Sequence, residues 1–159
     1  MSSLTKPTKV NETVAWRGDI PISSRYTAGV AGERFFREIK DNARFLGTRC
    51  SHCDMTFVPA TMFCERCFAH LDEWREVSSV GTIFSYTILH VDLDEGRLPE
   101  PRILAYIKLD ESDGGLVHFL SNVQPQDVDF GLRVKAVFRP PEEREGSIRD
   151  VRFFEPFPG

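Results

Sequence analysis

The sequence lacks the motifs that mark most enzymes acting alone. Neither of the common glycine-rich phosphate loops, G-x-G-x-x-G and G-x-x-x-x-G-K-[ST], occurs in its 159 residues. Its cysteines are confined to residues 50–67 in a spacing typical of metal ligands, so no free thiol nucleophile remains. No grouping of serine, histidine and acidic residues suggests a catalytic site either. We therefore expect no catalysis from this chain alone.

Long apolar runs are also missing. None approaches the roughly 20 apolar residues that a membrane-spanning helix requires. The first residues, Met1 to Val14, are polar and contain no hydrophobic segment of the kind found in secretory signals. The sequence therefore predicts a cytoplasmic protein that does not cross a membrane.

The charge is modest and unevenly distributed. The net charge is −4, but residues 1–70 carry 10 basic and 7 acidic side chains, whereas residues 71–159 carry 10 and 17. The acidic second part makes nucleic acid an unfavoured partner, because a large nucleic-acid footprint requires a basic face. The mildly basic first part could still attract a small anion, such as a nucleotide phosphate.

The cysteines form the most specific pattern in the sequence. Cys50 and Cys53 form one C-x-x-C pair, and Cys64 and Cys67 form a second after ten intervening residues. Each pair presents two sulfurs on one side of a tight turn, and two pairs complete the tetrahedron that zinc prefers. Because four thiolates close the coordination shell, we predict one structural Zn²⁺ per chain. Iron uses similar spacing and remains an alternative, whereas a reducing compartment disfavours disulfides.

The part before the cysteines divides into an arm and a helix. Residues 1–32 are irregular, and we predict an extended arm that becomes ordered against a partner, with a frayed tail as the alternative. Trp16 and Tyr26 are candidate partner contacts, because disordered tails are usually poor in aromatics. Apolar residues at helical spacing predict an amphipathic helix over 33–47, ended by Gly47.

The part after the helix predicts a metal ribbon and then a β domain. The ribbon spans 48–72, the β domain 73–155 and a loose tail 156–159. Runs rich in β-branched and aromatic residues predict strands at 82–89, 103–109, 116–123, 132–138 and 148–154, with a short strand at 74–77. Turn residues separate the strands and no long helix intervenes, which indicates a small antiparallel barrel.

Several stretches of the sequence resemble a known family. They are WRGDIPISSRYTAGVAGERFFREIKDNARFLGTRC, CSHCDMTFVPATMFCERC, WREVSSVGTIFSYTILH, ILAYIKLD and GLRVKAVFR. They resemble the DUF35 family, in which a rubredoxin-like zinc ribbon precedes an OB-fold, and the resemblance covers about residues 16–139. It implies a mainly β protein with an N-terminal helix, a four-cysteine zinc ribbon and a five-stranded OB-fold barrel.

The resemblance also implies a function. Members are usually non-catalytic partners of thiolase-superfamily enzymes, and sometimes of hydratases, that act on acyl-CoA thioesters. It implies that coenzyme A or acyl-CoA is a ligand shared with the partner subunit. The family includes the small subunit of benzoylsuccinyl-CoA thiolase, and the resemblance leaves that role open for this chain.

Candidate CoA contacts follow from the chemistry of the ligand, which carries anionic phosphates and an adenine that can stack. Four basic residues of the predicted helix and two aromatic residues near the ribbon are available: Arg34, Arg37, Lys40, Arg44, Phe45 and Phe57. The alternative for the basic residues is an ordinary solvated face with ion pairs.

Three other functions remain open. A zinc-ribbon and OB-fold protein could bind nucleic acid through a positive groove and stacking aromatics, although the acidic second part disfavours this. A stand-alone enzyme would need a site that the sequence does not show. A rubredoxin-like electron carrier would hold iron and be coloured.

Overall fold

The computed structural model describes residues 26–92 and 96–158. Within them it has one helix and eight strands, together with three single-turn 3-10 segments. The elements are α1 (Gly29–Asn42), β1 (Phe45–Cys50), β2 (Met55–Phe57), β3 (Glu73–Val77), β4 (Val80–Val91), β5 (Arg97–Leu109), β6 (Gly115–Leu120), β7 (Arg133–Phe138) and β8 (Val151–Pro156). Most of the predicted arm, including Trp16, lies outside the described residues.

The helix is shifted toward the N-terminus relative to the predicted range of 33–47. It ends because Ala43 adopts a left-handed conformation with φ of 50°, and the Ala43 amide donates to the carbonyl of Ile39 at 3.1 Å. The chain then enters β1 directly, so Gly47 is a strand residue and the prediction that it ends the helix was wrong. Gly47 instead lies against β2, where an added Cβ would come within 2.7 Å of the Phe57 carbonyl oxygen.

The ribbon is built on a three-stranded antiparallel sheet with the order β2-β1-β3. Phe45 is paired with Val77 in this sheet, so the short strand predicted at 74–77 belongs to the ribbon and the barrel begins at Val80. The fully buried Thr48 connects β1 to the segment that precedes Cys64. Its hydroxyl donates to the Thr61 carbonyl at 2.8 Å and accepts from the Thr61 amide at 3.0 Å.

The remaining five strands form a closed barrel with the order β4-β5-β6-β8-β7. Neighbouring strands are antiparallel except β6 and β8, which are parallel where Leu120 pairs with Phe154. Side chains of β5 alternate between the interior and the surface, which buries Ile103, Ala105 and Ile107. This is the five-stranded Greek-key arrangement of an OB-fold. The predicted fold class, mainly β with an N-terminal helix, a four-cysteine ribbon and an OB-fold barrel, is confirmed.

One hydrophobic core joins the helix, the ribbon and the barrel. Phe45 of β1 lies at its centre, with its ring centroid 6.2 Å from Phe35 of the helix, 5.3 Å from Phe138 and 6.3 Å from Phe154 of the barrel. The three parts are therefore one packing unit. Among the described residues, no helix combines the length and apolar character needed to cross a membrane.

A buried carboxylate holds the loop before β8 in place. Asp150 is 1% exposed and accepts backbone N–H groups from Glu145 at 2.9 Å, Gly146 at 2.7 Å and Ser147 at 3.2 Å. Burial by itself would raise the pKa of Asp150, but the three amides and the Arg144 charge outweigh it and hold that pKa below its ordinary value.

We expect Asp150→Asn to lower the free energy of unfolding by about 1–3 kcal/mol at pH 7, because the amides lose a charged acceptor. A carboxyl whose pKa is depressed by folding stabilises above its unfolded pKa of about 4, and that contribution disappears as pH falls through the folded pKa. The difference between wild type and variant should therefore be constant near neutrality and shrink as pH falls below about 5, because the Asp150 carboxylate then becomes protonated. Urea unfolding across this range measures it. The exposed change Glu142→Gln is the control, and an equal loss in that variant would contradict the assignment.

Candidate metal centre and surface sites

The four cysteine sulfurs converge at one end of the ribbon, all within 4.8 Å of one another. Cys50 is the last residue of β1, and Cys53 lies in the turn that leads to β2. The residue after each C-x-x-C pair is left-handed, with φ of 54° at Asp54 and 59° at Phe68. Each cysteine pair is thus followed by a residue in the same left-handed conformation, and the sulfurs of both pairs face a common centre.

The spacing and surroundings of the sulfurs fit a tetrahedral thiolate site. The Cys50 and Cys67 sulfurs are 3.6 Å apart, close to the edge of about 3.8 Å expected for a tetrahedron with Zn–S bonds of about 2.3 Å. The Cys53 amide donates to the Cys50 sulfur and the Arg66 amide to the Cys64 sulfur, each at 3.4 Å. Such donors stabilise thiolates, so the residues present fit a structural zinc ion.

The titration of the thiols also indicates why they need a cation. Hydrogen bonding to the Cys67 thiol, together with burial, raises the pKa of Cys53 to about 12. Burial opposes ionisation of Cys64 as well, but the amides of Cys67 and Arg66 outweigh it and lower the pKa of that thiol to about 7. Four neighbouring thiols therefore cannot all ionise on their own near neutrality, whereas a divalent cation stabilises all four thiolates together.

The two histidines near the ribbon lie outside the four-cysteine cluster. His52 Nδ1 is 3.9 Å from the Cys53 sulfur, but His52 is not among the residues whose ligand atoms all converge. His70 Nδ1 lies 2.8 Å from Asp72 Oδ1, and its ring meets Phe63 edge-on at 5.3 Å. The cluster that could hold a metal ion therefore consists of the four cysteines predicted from the sequence.

Two of the basic residues proposed as CoA contacts are engaged by carboxylates. Arg37 forms an ion pair with Glu33 one turn earlier on the helix. Arg44 donates to Glu38 at 2.6 Å and to Glu76 of β3 at 2.9 Å. Both guanidinium groups are thus already neutralised within the chain, so the helix presents less free positive charge than its sequence suggests.

The other two basic candidates are not neutralised by carboxylates within the described residues. The Arg34 guanidinium lies 4.2 Å from the centre of the Trp74 ring, a cation–π contact between helix and ribbon. Lys40 has no ion pair within the described residues, and it lines a groove of about 810 Å³ beside the helix. That groove also contains Glu33, Asp41 and Glu145, so it does not favour an anion.

The two aromatic candidates are core residues. Phe45 is 0% exposed, at the centre of the joint core, and Phe57 is 6% exposed, packed with Leu71 beside the cysteines. Neither ring has a free face on which an adenine could stack. The proposal that they contact CoA is therefore corrected by their burial. Tyr26, the partner candidate within the described residues, is 90% exposed.

The outer face of the barrel carries an apolar patch that the sequence did not reveal. Phe84 is 67% exposed and Val117 is 59% exposed, on either side of Tyr106. The rings of Phe84 and Tyr106 meet edge-on at 6.0 Å, and Tyr106 pairs with Val117 across β5 and β6. A bulge in β4 between Ile83 and Ser85 accompanies the outward position of Phe84. Alternation in β6 could have located Val117, but the bulge has no clear sequence signal. We call these three residues the barrel-face patch.

Two family profiles match adjacent parts of the chain. The profile described as the rubredoxin-like zinc ribbon domain of ChsH2 matches residues 37–73, and that of the ChsH2 C-terminal OB-fold domain matches residues 74–139. Their common boundary lies at the start of β3.

Two relatives carry the description "DUF35 domain-containing scaffold protein". The protein of Methanocaldococcus jannaschii is 30% identical over 108 residues, which cover 67% of this chain and 75% of that protein. The protein of Methanothermobacter thermautotrophicus is 28% identical over 127 residues, covering 77% of this chain and 94% of that protein.

Two solved structures share the fold. A DUF35 protein of unknown function from Sulfolobus solfataricus superposes with a TM-score of 0.58 at 32% identity, covering 69% of this chain and 78% of that one. A chain of the Ltp2–ChsH2(DUF35) aldolase superposes with a TM-score of 0.56 at 19% identity, covering 78% and 93%. Taken with the four-cysteine ribbon and the OB-fold barrel, these similarities show that the chain belongs to the DUF35 family.

Proposed function

We propose that this protein is a non-catalytic accessory subunit of an acyl-CoA-processing enzyme of the thiolase type. In this role it binds and stabilises the catalytic subunit and helps to hold the CoA moiety. The observation that carries the proposal is the barrel-face patch, a group of apolar side chains on the outer face of the barrel. The description of two relatives as scaffold proteins and the presence of a DUF35 chain in an aldolase support it.

The chemistry of the described residues supports an accessory role. The cysteines converge in a cluster that fits a metal ion, and as its ligands they would leave no thiol for the nucleophilic step of a thiolase. His118 lies in the barrel wall against Phe154, and burial lowers its pKa. A buried histidine with backbone acceptors nearby is poorly placed to exchange protons with a substrate. We therefore assign the carbon–carbon chemistry to the partner subunit.

The barrel-face patch supports a protein partner. Monomeric proteins rarely leave clustered apolar side chains exposed, and such clusters commonly mark interaction sites. Aromatic residues are enriched at the centres of protein interfaces, where one ring can fill a pocket of the partner. Phe84 and Tyr106 have this character, because both are aromatic residues on strands of the barrel with surface open to solvent.

Binding of single-stranded nucleic acid is the alternative function. Exposed rings on the strands of an OB-fold can stack on bases, and Phe84 and Tyr106 provide such rings. The acidic balance of residues 71–159 disfavours it, since backbone phosphates require a basic groove.

Purification of the tagged chain from its native cells tests the proposal. We expect one acyl-CoA enzyme subunit to accompany it in a fixed ratio, and the complex, unlike the chain alone, to turn over an acyl-CoA. Phe84→Ser combined with Val117→Ser should reduce recovery of the partner at least tenfold without changing the metal content, because it removes apolar anchors only.

Phe130→Ser is the matched control, since Phe130 is also 67% exposed but lies against Tyr86, outside the patch. Equal loss of the partner in the control would remove the patch from the interface. Robust turnover by the isolated chain would overturn the accessory role, and tight binding of an oligonucleotide would favour the alternative.

A further inference from the structure

A second groove lies on the barrel, away from the helix. It has a volume of about 890 Å³ and is formed by residues of β5, β6, β8 and the 121–127 loop. Its lining includes two arginines, two phenylalanines and two acidic residues: Arg102, Arg152, Phe119, Phe153, Glu100 and Asp127. The volume is within the range of about 300–1,000 Å³ that is usual for small-molecule sites.

The two arginines are held by aromatic rings rather than by carboxylates. The Arg102 guanidinium lies 4.0 Å from the centre of the Phe119 ring, and that of Arg152 lies 5.5 Å from the centre of the Phe153 ring. Within residues 26–92 and 96–158, neither has an ion pair or a side-chain hydrogen bond. This separates them from Arg44, which lies between the helix and β1 and which two carboxylates already engage.

A guanidinium group over a ring keeps its N–H edges available. The ring holds the planar group in one orientation, and the donors then match the geometry of a phosphate oxyanion. A planar base can also stack on the open face of an arginine. We propose that this groove binds a phosphorylated, nucleotide-sized small molecule, with its phosphate against Arg102 and Arg152.

The two acidic residues make the site selective rather than generally attractive to anions. Glu100 and Asp127 offset the charge of the two arginines, so long-range attraction is weak and affinity depends on direct contact. A polyanion such as a nucleic acid strand gains little from this arrangement. Removal of Glu100 should therefore tighten binding of a phosphorylated ligand, which a purely structural groove would not show.

The choice of a phosphorylated nucleoside rests on the proposed function, because CoA ends in a phosphorylated adenosine. The groove moves that contact from the helix region, where carboxylates already engage Arg37 and Arg44, to the barrel. Adenosine 3′,5′-bisphosphate is the appropriate probe, since it carries this end of CoA without the thioester. Adenosine and inorganic phosphate separate the contributions of the ring and the anion.

Calorimetric titration of the full chain with the three probes tests the site. We expect saturable binding of adenosine 3′,5′-bisphosphate, weaker binding of inorganic phosphate and little binding of adenosine. Arg102→Gln and Arg152→Gln should each weaken bisphosphate binding by roughly tenfold or more, as expected for loss of a charged hydrogen-bond donor. Arg102→Lys should also weaken it, because lysine keeps the charge but loses the planar fork. Glu100→Gln should strengthen it.

Lys108→Gln is the matched control, because Lys108 is exposed on the same strand and does not line the groove. Equal weakening by Lys108→Gln, the absence of saturable binding, or tighter binding of an oligothymidylate than of the bisphosphate would overturn the proposal. None of these results would affect recovery of the partner subunit by the tagged chain. Failure of the groove is thus distinguishable from failure of the accessory role.

Discussion

Replacing Cys64 by serine should unfold the ribbon and destabilise the whole chain, rather than remove a chemical step. Binding of a structural zinc ion contributes about 10–16 kcal/mol to folding in isolated zinc-finger peptides, which is comparable to the entire stability of a typical domain. Cys64 is 0% exposed, so a serine there also leaves a buried hydroxyl among three thiols. We expect Cys53→Ser to act in the same direction from its half-buried position.

Elemental analysis and urea unfolding of both variants measure this effect. Wild type should contain about one zinc ion per chain, and both variants should lose most of it together with the cooperative unfolding transition. His52→Ala is the control, since its imidazole is close to Cys53 but outside the ligand cluster. Full zinc content and normal unfolding in both cysteine variants would contradict the structural role. Visible absorption from ferric thiolate would instead identify iron.

Loss of the ribbon should reach the barrel because the two are hydrogen-bonded to each other. The turn between β5 and β6 lies against β2, where the Asp113 carboxylate accepts from the Thr56 amide at 2.8 Å and the Asp113 amide donates to the Thr56 carbonyl at 2.8 Å. The Gly115 amide donates to the Val58 carbonyl at 3.1 Å. At Gly114 an added Cβ would come within 2.3 Å of the Val58 carbonyl oxygen, so the contact requires glycine.

The metal centre and the barrel could be predicted from the sequence because each has a local signature. The spacing of Cys50, Cys53, Cys64 and Cys67 identifies the ligands, and short β-rich runs between turn residues identify the barrel strands. The Asp113-Gly114-Gly115 turn was also recognisable, but its contact with the ribbon was not. That contact joins residues far apart in sequence, and no local pattern indicates it.

The end of the helix and the candidate CoA contacts could not be predicted in the same way. Leu46 falls at helical spacing with Ile39 and Ala43, yet it is equally consistent with the buried start of a strand, so periodicity alone does not decide between a helix and a strand there. The arginines of the predicted helix indicated a basic face. Arg44 is instead paired with Glu76, which comes from β3 and is far from it in sequence. Pairing and burial are tertiary properties, and they changed the assignment of these residues.

Phe45→Ala should be the most damaging single change outside the cysteines, lowering the free energy of unfolding by about 3–5 kcal/mol. The ring is fully buried where the helix, the ribbon and the barrel meet, and its aromatic neighbours are held on three different elements. They cannot collapse together into the space that alanine would leave. Phe68→Ala is the control, because that ring is 79% exposed and its loss should cost little.

The variant Phe45→Leu separates a core role from a ligand role for the same residue. Leucine keeps most of the apolar volume, so unfolding in urea should show a loss of roughly 1–2 kcal/mol, well below that of alanine. A ring that stacked on adenine would behave differently, since leucine would weaken binding of adenosine 3′,5′-bisphosphate while leaving stability nearly intact. We expect unchanged ligand affinity with reduced stability, because Phe45 has no face open to solvent. The reverse result would restore Phe45 to the CoA site and require the ring to leave the core on binding.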